Sequence, residues 1–592
     1  HLNIRAVLLL CSLGGSLVTG AASAAGESVG LFEQSPVSVS SVDNSAILID
    51  FGRVAFGNVQ LTPPRDAAKT ITVHFGEKLK DGRVDRRPPG TVRYNVARVR
   101  LRGGHPIVVA PPADARNTEH VSEKHPPAIL TPPQWGVVIP FRWLEIEGWP
   151  GEFKPEQVVR RAAFAKSWDE DAASFVSSDP MLNRIWDLCR YSIKATTFAG
   201  VYVDGDRERI PYEGDAYLNQ LSHYNTDNNI QMARDTYDWL MLHGTWPTEW
   251  APHMVFMAHA DWLHTGDRSW VASRYEALKA KTLLERAGPD GLIRSNEAQK
   301  RRDLVDWPMG ERDGYVFTEI NTVVNAFHLA AMKRMAELAA ALGKTDEAED
   351  FAAHAKRAHA QFQKRLFDSE RRLYRDGVNT DHISLHANLF PLAFGLVPED
   401  EKQGVVEWLQ DRDMDCSVYA AQYLLEGLFR SNGERKAIQL IIAPTDRSWR
   451  HMLESGTTIT WEAWDMKYKP NQDWNHAWGA APANLLPRFV LGVEPLEPGW
   501  ARASIRPCPG DLAYARGKVP TPRGPIMIDW RNGETFHISI KLPDGLSADV
   551  ELPAGKSSTG VYLNGKQVLA KRDGSRWRLV ESISGTAAIE LK

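Results

Sequence analysis

The chain has 592 residues, with 70 Lys and Arg against 74 Asp and Glu, for a net charge of −4. That length exceeds one ordinary hydrophobic core, so two to four domains are expected. The balanced charge gives no electrostatic basis for binding nucleic acid or an acidic membrane. Twenty Trp supply flat apolar faces that suit core filling and, at a binding site, the C–H faces of sugar rings.

Residues 1–25 read as a secretory leader. Arg5 precedes an apolar run, Ala6–Val18, too short to span a membrane. Small residues follow, Ala21-Ala22-Ser23-Ala24-Ala25, as at a cleavage site. The expected product is periplasmic or extracellular and not inserted in a membrane. Cys11 would leave with the leader. Cys189, Cys416 and Cys508 remain, scattered and without a C-x-x-C pair, which argues against a disulfide scaffold and against a zinc site. No EF-hand pattern, P-loop or His metal pair occurs, so no metal or cofactor is expected.

Residues 26–170 have β texture. Ala46–Gly52, Thr70–Gly76, Val92–Leu101 and Phe141–Ile146 are β-branched or alternating runs. They predict an N-terminal β-sandwich, with Gly103–Gln134 as a long surface loop. Residues 171–495 are helical. Ser177-Ser178-Asp179-Pro180 opens a helix, and Leu182, Ile185, Trp186, Cys189 and Ile193 form its apolar stripe. Further helices are predicted over Tyr217–Asn225, Asn229–Leu242, Trp270–Ala287, Glu319–Leu342, Asp346–Leu366, His386–Phe394, Pro398–Gln410, Val418–Asn432 and Glu434–Ile442. Their number suits a closed ring of helical hairpins. Residues 496–592 return to short strands separated by turns such as Asn532-Gly533 and Asn564-Gly565, and predict a C-terminal β-sandwich.

Two stretches in the helical region concentrate carboxylates. Val203–Tyr217 packs Asp204, Asp206, Arg207, Glu208, Arg209, Glu213 and Asp215 around Pro211 and two Gly. A solvated helix face would space its charges at i, i+4 without such breakers. The stretch therefore reads as an irregular loop, either a catalytic loop or a structural Arg–carboxylate knot. The second stretch, Met452–Asp465, sets Glu462 between Trp461 and Trp464, where aromatic burial is expected to raise its pKa. Trp474–Gly479, with Asn475 and His476, follows as a source of hydroxyl partners. Two carboxylate clusters in one helical domain suit a glycosidase.

These stretches resemble the α-L-rhamnosidases of glycoside hydrolase family 78. DGDRERIPYEGD at 204–215 is similar to that family's DCPQRERxGWxGD, and GTTITWEAW at 456–464 to its GATTxWExW. FRWLEIEG at 141–148, Asp306-Trp307 and NHAWG at 475–479 fall in the family's order. The resemblance implies an (α/α)6 helical barrel flanked by an N-terminal and a C-terminal β-sandwich domain. It also implies inverting hydrolysis that releases a terminal α-L-rhamnose from oligosaccharides or polysaccharides. Glu208 would be the general acid and Glu462 the general base, with Asp204 and Asp215 binding sugar hydroxyls and the two catalytic carboxyls ~6.5–9.5 Å apart. Tyr212, Trp250, Asp306, Trp307, Trp461 and His476 are further candidate substrate contacts. Arg207 and Arg209 are expected to brace the loop and point away from Glu208, because a cation would lower an acid's pKa.

The first motif is one residue shorter than the family's, lacks its Cys-Pro, and carries Ile210-Pro211-Tyr212 and an added Glu213 in place of its Leu-Gly-Trp region. A related deoxy sugar therefore stands beside rhamnose as the expected substrate. Trp246, Glu249, Trp250 and His253 form one candidate pocket loop, and Asp306, Trp307, Glu311 and Arg312 another. His386 and Asn388 read as structural. Alternatives are a uronyl hydrolase or lyase using Tyr212 with His253 or His476, a phosphorylase, which Glu462 disfavours, and a non-catalytic carbohydrate-binding protein.

Overall fold

The computed structural model describes residues 28–592 apart from 44, 117–127 and 556–557. The leader-like residues 1–25 and part of the 103–134 loop lie outside the described residues. The chain forms a β-rich region, a helical ring and a second β-rich region.

The first region is an eight-stranded sheet. Its central strand, Ala46–Leu61, is far longer than the run Ala46–Gly52 that predicted it. The strand serves two neighbourhoods. Residues 46–50 pair with Ser38–Asp43, and residues 57–61 with Val158–Ala165. Its pairing with Ile139–Glu147 runs along both halves and shifts register between Asp50 and Ala55. Such an irregularity bends the strand and changes its partners along its length. Ile49, Phe51, Val73, Phe75, Phe141, Leu144 and Ile146 belong to the core of this region.

In the helical region, α1 (Pro180–Ala195) begins where the sequence indicates, with Asp179 accepting from the N–H groups of Met181 and Leu182 at 2.8 and 3.0 Å. The inner helices are α2 (Glu213–Tyr224), α4 (Trp250–Thr265), α5 (Thr322–Ala341), α7 (Leu385–Ala393), α9 (Val418–Arg430) and α11 (Pro482–Leu485, continued to Val490). Each packs on the next, and α11 returns to α2, so the ring closes. Outside them lie α1, α3 (Gln231–Leu242), α6 (Thr345–Leu366), α8 (Lys402–Gln410) and α10 (Glu434–Ile441), each on its hairpin partner.

Two predictions fail here. Trp270–Ala287 is two short helices, Arg268–Ala272 and Tyr275–Lys279, followed by 3-10 turns. Conversely, the segment read as a loop around Trp250 and His253 is the start of α4. This helix is apolar nearly all round because it lies inside the ring, so it shows no amphipathic period.

The C-terminal region is a seven-stranded sheet facing a six-stranded one. The alternation in Ile526–Asn532 and Phe536–Lys541 corresponds to alternate burial. Its edge strand, Ser174–Ser177, comes from before α1 and pairs with Tyr514–Val519. Val493–Pro495 joins the second sheet. Both strands fall within 171–495, so the helical and C-terminal units interlock at each end. Cys189, Cys416 and Cys508 are buried and unpaired. Among the described residues no helix is long and apolar enough to cross a membrane.

The first sheet is also fastened to the ring. Phe56 stacks on Phe198, with centroids 3.7 Å apart and planes 7° off parallel, in a buried cluster with Ala163, Ala199 and Val203. Phe198→Ala is expected to cost about 3–5 kcal/mol of unfolding free energy in a urea titration. A loss below ~1 kcal/mol would show that this joint does not hold the two units together.

Candidate functional site

The 204–212 segment runs from the end of the α1 hairpin to the N-terminus of α2. It is pinched at its base, where the Asp204 N–H donates to Ile210 O at 2.9 Å and Asp204 Oδ1 accepts from Ile210 N–H at 3.1 Å. Gly205 has φ +145°, and a Cβ there would lie 2.7 Å from Asp473 Oδ2. The close approach explains a glycine in the shortened motif. Asp206 is fully buried and meets three cations, Arg209 at 2.6 Å, Arg116 at 3.1 Å and Arg93 at 3.2 Å. Burial alone would raise its pKa, but the three guanidiniums hold it at about 2. Arg209 also donates to Val138 O at 2.8 Å and so points away from Glu208, as expected.

Arg207 does not point away. Its terminal nitrogens grip Glu462 in a bidentate pair at 2.6 and 2.9 Å, and its Nε lies 3.4 Å from Glu208 Oε1. One guanidinium thus lies between the two motif carboxylates. The pair also reverses the expectation that burial leaves Glu462 with a raised pKa. Desolvation does push it up, but the Arg207 hydrogen bonds and charge, with His476 and Lys469, outweigh it and hold Glu462 at about 2. The Glu462 side chain is 3% exposed, against 33% for Glu208. The flanking rings do not face outward. Trp461 is buried and stacks on Trp474 at 4.9 Å, and the Trp464 indole donates to Cys416 O at 2.7 Å from a fully buried position.

The N-terminal ends of inner helices supply the walls. The Tyr212 phenol donates to Glu208 Oε2 at 2.6 Å. Burial, with Glu208 nearby, raises its pKa, so it remains a donor. Its ring meets Trp250 edge-on at 5.6 Å. Trp250 lies over Gly214, where a Cβ would be 2.8 Å from the indole. His476 Nε2 is 2.7 Å from Asp215 Oδ1. Burial raises the Asp215 pKa, partly offset by the His476 hydrogen bond. Among the described residues, Asp204 Oδ2, His476 Nδ1 and Trp250 Nε1 are buried polar atoms without a hydrogen-bond partner. Such atoms are costly to leave unmade.

Other candidates fall on the scaffold. Asp306 is fully buried, and its carboxylate accepts from Trp307 N–H at 2.8 Å, from the Ser417 N–H at 2.9 Å and from the Ser417 hydroxyl, with His386 Nε2 2.6 Å away. It ties its own loop to the starts of α7 and α9 and has no oxygen left for a sugar. Trp307 is half-buried, with the Lys469 ammonium 5.9 Å from its ring. His253 is buried beside Tyr423 (2.7 Å), and desolvation lowers its pKa to about 3, so it is held in the core and not paired with Tyr212. Glu249 accepts from the N–H groups of Leu304 and Val305, Glu311 pairs with Arg447, and Glu213 accepts from Thr245. His386 and Asn388 are structural, as expected.

A further set joins these, of which the sequence reading singled out Asn475 alone. Asp473 Oδ2 accepts from Arg207 N–H at 3.1 Å, and Asn475 Oδ1 from Asp206 N–H at 2.8 Å. Lys469 Nζ is 3.2 Å from Glu462. Thr91, Glu77 and Arg93 reach this loop from the first β region, although they lie outside every motif. The NHAWG run at 475–479 carried the signal for Asn475, and no motif covered the others.

Family models extend this picture along the chain. The bacterial alpha-L-rhamnosidase 6 hairpin glycosidase domain matches residues 170–490, the concanavalin-like domain residues 40–102, and the C-terminal domain residues 492–566. An alpha-L-rhamnosidase of Alteromonas sp. (strain LOR) is 23% identical over 571 residues, covering 88% of this chain and 57% of that protein. One from Streptomyces avermitilis is 22% identical over 554 residues, covering 88% and 50%. The chain therefore spans about half the length of the curated relatives it matches. The structure of alpha-L-rhamnosidase from Dictyoglumus thermophilum is similar at a TM-score of 0.77 and 18% identity, over 95% of this chain and 63% of that one. The Streptomyces avermitilis structure, complexed with L-rhamnose, gives 0.75 and 18% over 95% and 54%. At such identity these likenesses concern the fold.

The Arg207–Glu462 pair has a measurable signature. With its folded pKa at about 2, below the unfolded carboxylate value, Glu462 adds stability above that unfolded value and loses it as pH falls toward the folded one. Arg207→Met leaves Lys469 as the remaining cation, and is expected to cost about 3 kcal/mol at pH 7. In urea titrations the gap to wild type should narrow steadily toward pH 3. Equal gaps at both ends would show that the pair does not set the ionisation of Glu462.

Proposed function

Because the chain belongs to the bacterial α-L-rhamnosidase six-hairpin glycosidase family, we propose that it is an inverting glycoside hydrolase. It releases a terminal α-L-rhamnose, or a closely related deoxy sugar, from oligosaccharides or polysaccharides. The observation that carries this reading is the Arg207 guanidinium set between two carboxylates of unlike exposure. Glu462, held ionised at about 2, cannot be the proton donor at neutral pH, which leaves it the base role that its motif position implies. Glu208, at the other motif, is then the acid that protonates the leaving oxygen.

Arg207 contacts both carboxylates and so holds them at one site. Asp204, His476 and Trp250 are the side chains proposed to bind sugar hydroxyls. Asp215 orients His476, and Tyr212 orients Glu208 while closing the wall beside Trp250. Asp306 and Trp461 support the site from behind. Export rests on the leader-like composition of residues 1–25 and is part of the same proposal.

Turnover of aryl α-L-rhamnosides by wild type, Glu208→Gln and Glu462→Gln tests the assignment. Each variant is expected to lose about 10²–10⁴-fold in kcat. The Glu208→Gln loss should shrink as the leaving group becomes more acidic, because a good leaving group needs no proton, whereas the Glu462→Gln loss should not. Product stereochemistry by NMR should show inversion. Full activity in either variant, or retention of configuration, would sink the acid and base roles of the two glutamates.

A further inference from the structure

The segment 77–93 of the first β region is built into the helical domain. Val92 belongs to the large core that fills the ring. Gly90, at φ +61°, lies where a Cβ would come within 2.9 Å of Met466. Arg93 pairs with Asp206. Two of the segment's polar side chains end on Asp473 and Asn475. The Thr91 hydroxyl donates to Asp473 Oδ1, and Glu77 Oε1 accepts from Asn475 Nδ2 at 3.0 Å. Glu77 Oε2 is occupied by the Arg93 N–H at 2.6 Å, so its orientation is fixed from its own strand side.

The far sides of Asp473 and Asn475 accept the successive backbone N–H groups of Arg207 and Asp206. The loop that carries Asp473 also faces Glu462, whose N–H donates to Asp473 O at 3.2 Å and whose Oε2 accepts from Asp473 N–H at 3.3 Å. Asp473 is thus shared between the peptide that carries Glu208 and the peptide that carries Glu462. Asn475 can hold Asp206 N–H with its oxygen only while its amide nitrogen has an acceptor, and that acceptor is Glu77.

We infer that Thr91 and Glu77, contributed by the β region, are positioning residues for the hydrolysis. By fixing the rotamers of Asp473 and Asn475 they set where the Asp206–Glu208 peptide sits relative to Glu462. They touch neither substrate nor reacting atoms. The inference rests on the hydrolase reading for its kinetic readout only. A misplacement of the acid by a fraction of a bond length lowers the rate of the chemical step while leaving sugar contacts in place.

The geometry supplies its own rescue. In Asn475→Asp the acceptor for Asp206 N–H is kept, but a carboxylate oxygen faces Glu77. In Glu77→Gln an amide nitrogen replaces one of two acceptors that both face donors. Combined, Gln at 77 donates to Asp at 475 while its oxygen still accepts from Arg93, so the chain of hydrogen bonds is restored with the polarity of one link reversed. In the full chain, each single variant is expected to lower kcat about 10- to 100-fold with KM changed less than about threefold, and the double variant to recover most of it. Thr91→Val should behave like the singles, and Thr91→Ser like wild type. Amide exchange of Asp206 and Arg207, read by mass spectrometry, should rise in the singles and fall back in the double and in Thr91→Ser. Rescue in neither kcat nor exchange would overturn the inference. If wild type turns over no rhamnoside, the sugar assignment fails, and the exchange pattern by itself still decides whether Thr91 and Glu77 hold the loop.

Discussion

The bidentate contact between Arg207 and Glu462 joins residues 255 positions apart, and the site depends on it. A carboxylate as buried as Glu462 is tolerated as an anion only with a cation and hydrogen bonds at hand. Arg207 supplies both, and in doing so it draws the two motif stretches together across the mouth of the ring. Its guanidinium has a rigid fork that fits a carboxylate edge, which a lysine would not reproduce. The same side chain keeps its Nε toward Glu208, so a single residue fixes the spacing of both glutamates.

Around that pair the buried carboxylates divide by how far their cationic contacts offset burial. Asp206, ringed by three arginines, is held low, as is Glu462. Asp204, Asp215 and Asp473 are pushed up by burial, which their neighbours do not overcome. Protonation is thus apportioned residue by residue within one short loop and its partner. Asp206 serves as the electrostatic anchor of the loop, since its charge is satisfied entirely by protein groups. Asp204 is left with an oxygen that the protein does not use.

The β regions are structural parts of the unit that holds the site. The first sends Thr91, Glu77 and Arg93 into the loop that carries Glu208 and stacks Phe56 on Phe198. The C-terminal one takes its edge strand from Ser174–Ser177, just ahead of α1, and donates the Trp530 indole N–H to Val490 O, 2.9 Å away, at the end of the last inner helix. Strands at each end of the ring therefore belong to a neighbour. Separating the ring from either region would expose paired backbone and apolar core together.

From the sequence alone the β–helical–β order, most helix spans and the two glutamates in register were legible, because hydrophobic period, caps and short motifs are local properties of the chain. Strand Thr70–Gly76 and helix α6 fall almost where their patterns place them. Helix α4 was hidden, since a helix buried on every side shows no polar face. The direction of Arg207, the ionisation of Glu462, the inward turn of Trp461 and the scaffold role of Asp306 were decided by the tertiary structure. Each depends on which group from a distant segment arrives within hydrogen-bond reach and on how much water is excluded there. Neighbouring residues in the sequence do not contain that information. A motif identifies the carboxylates, and only the folded surroundings determine which of them is charged, paired or free to meet a sugar.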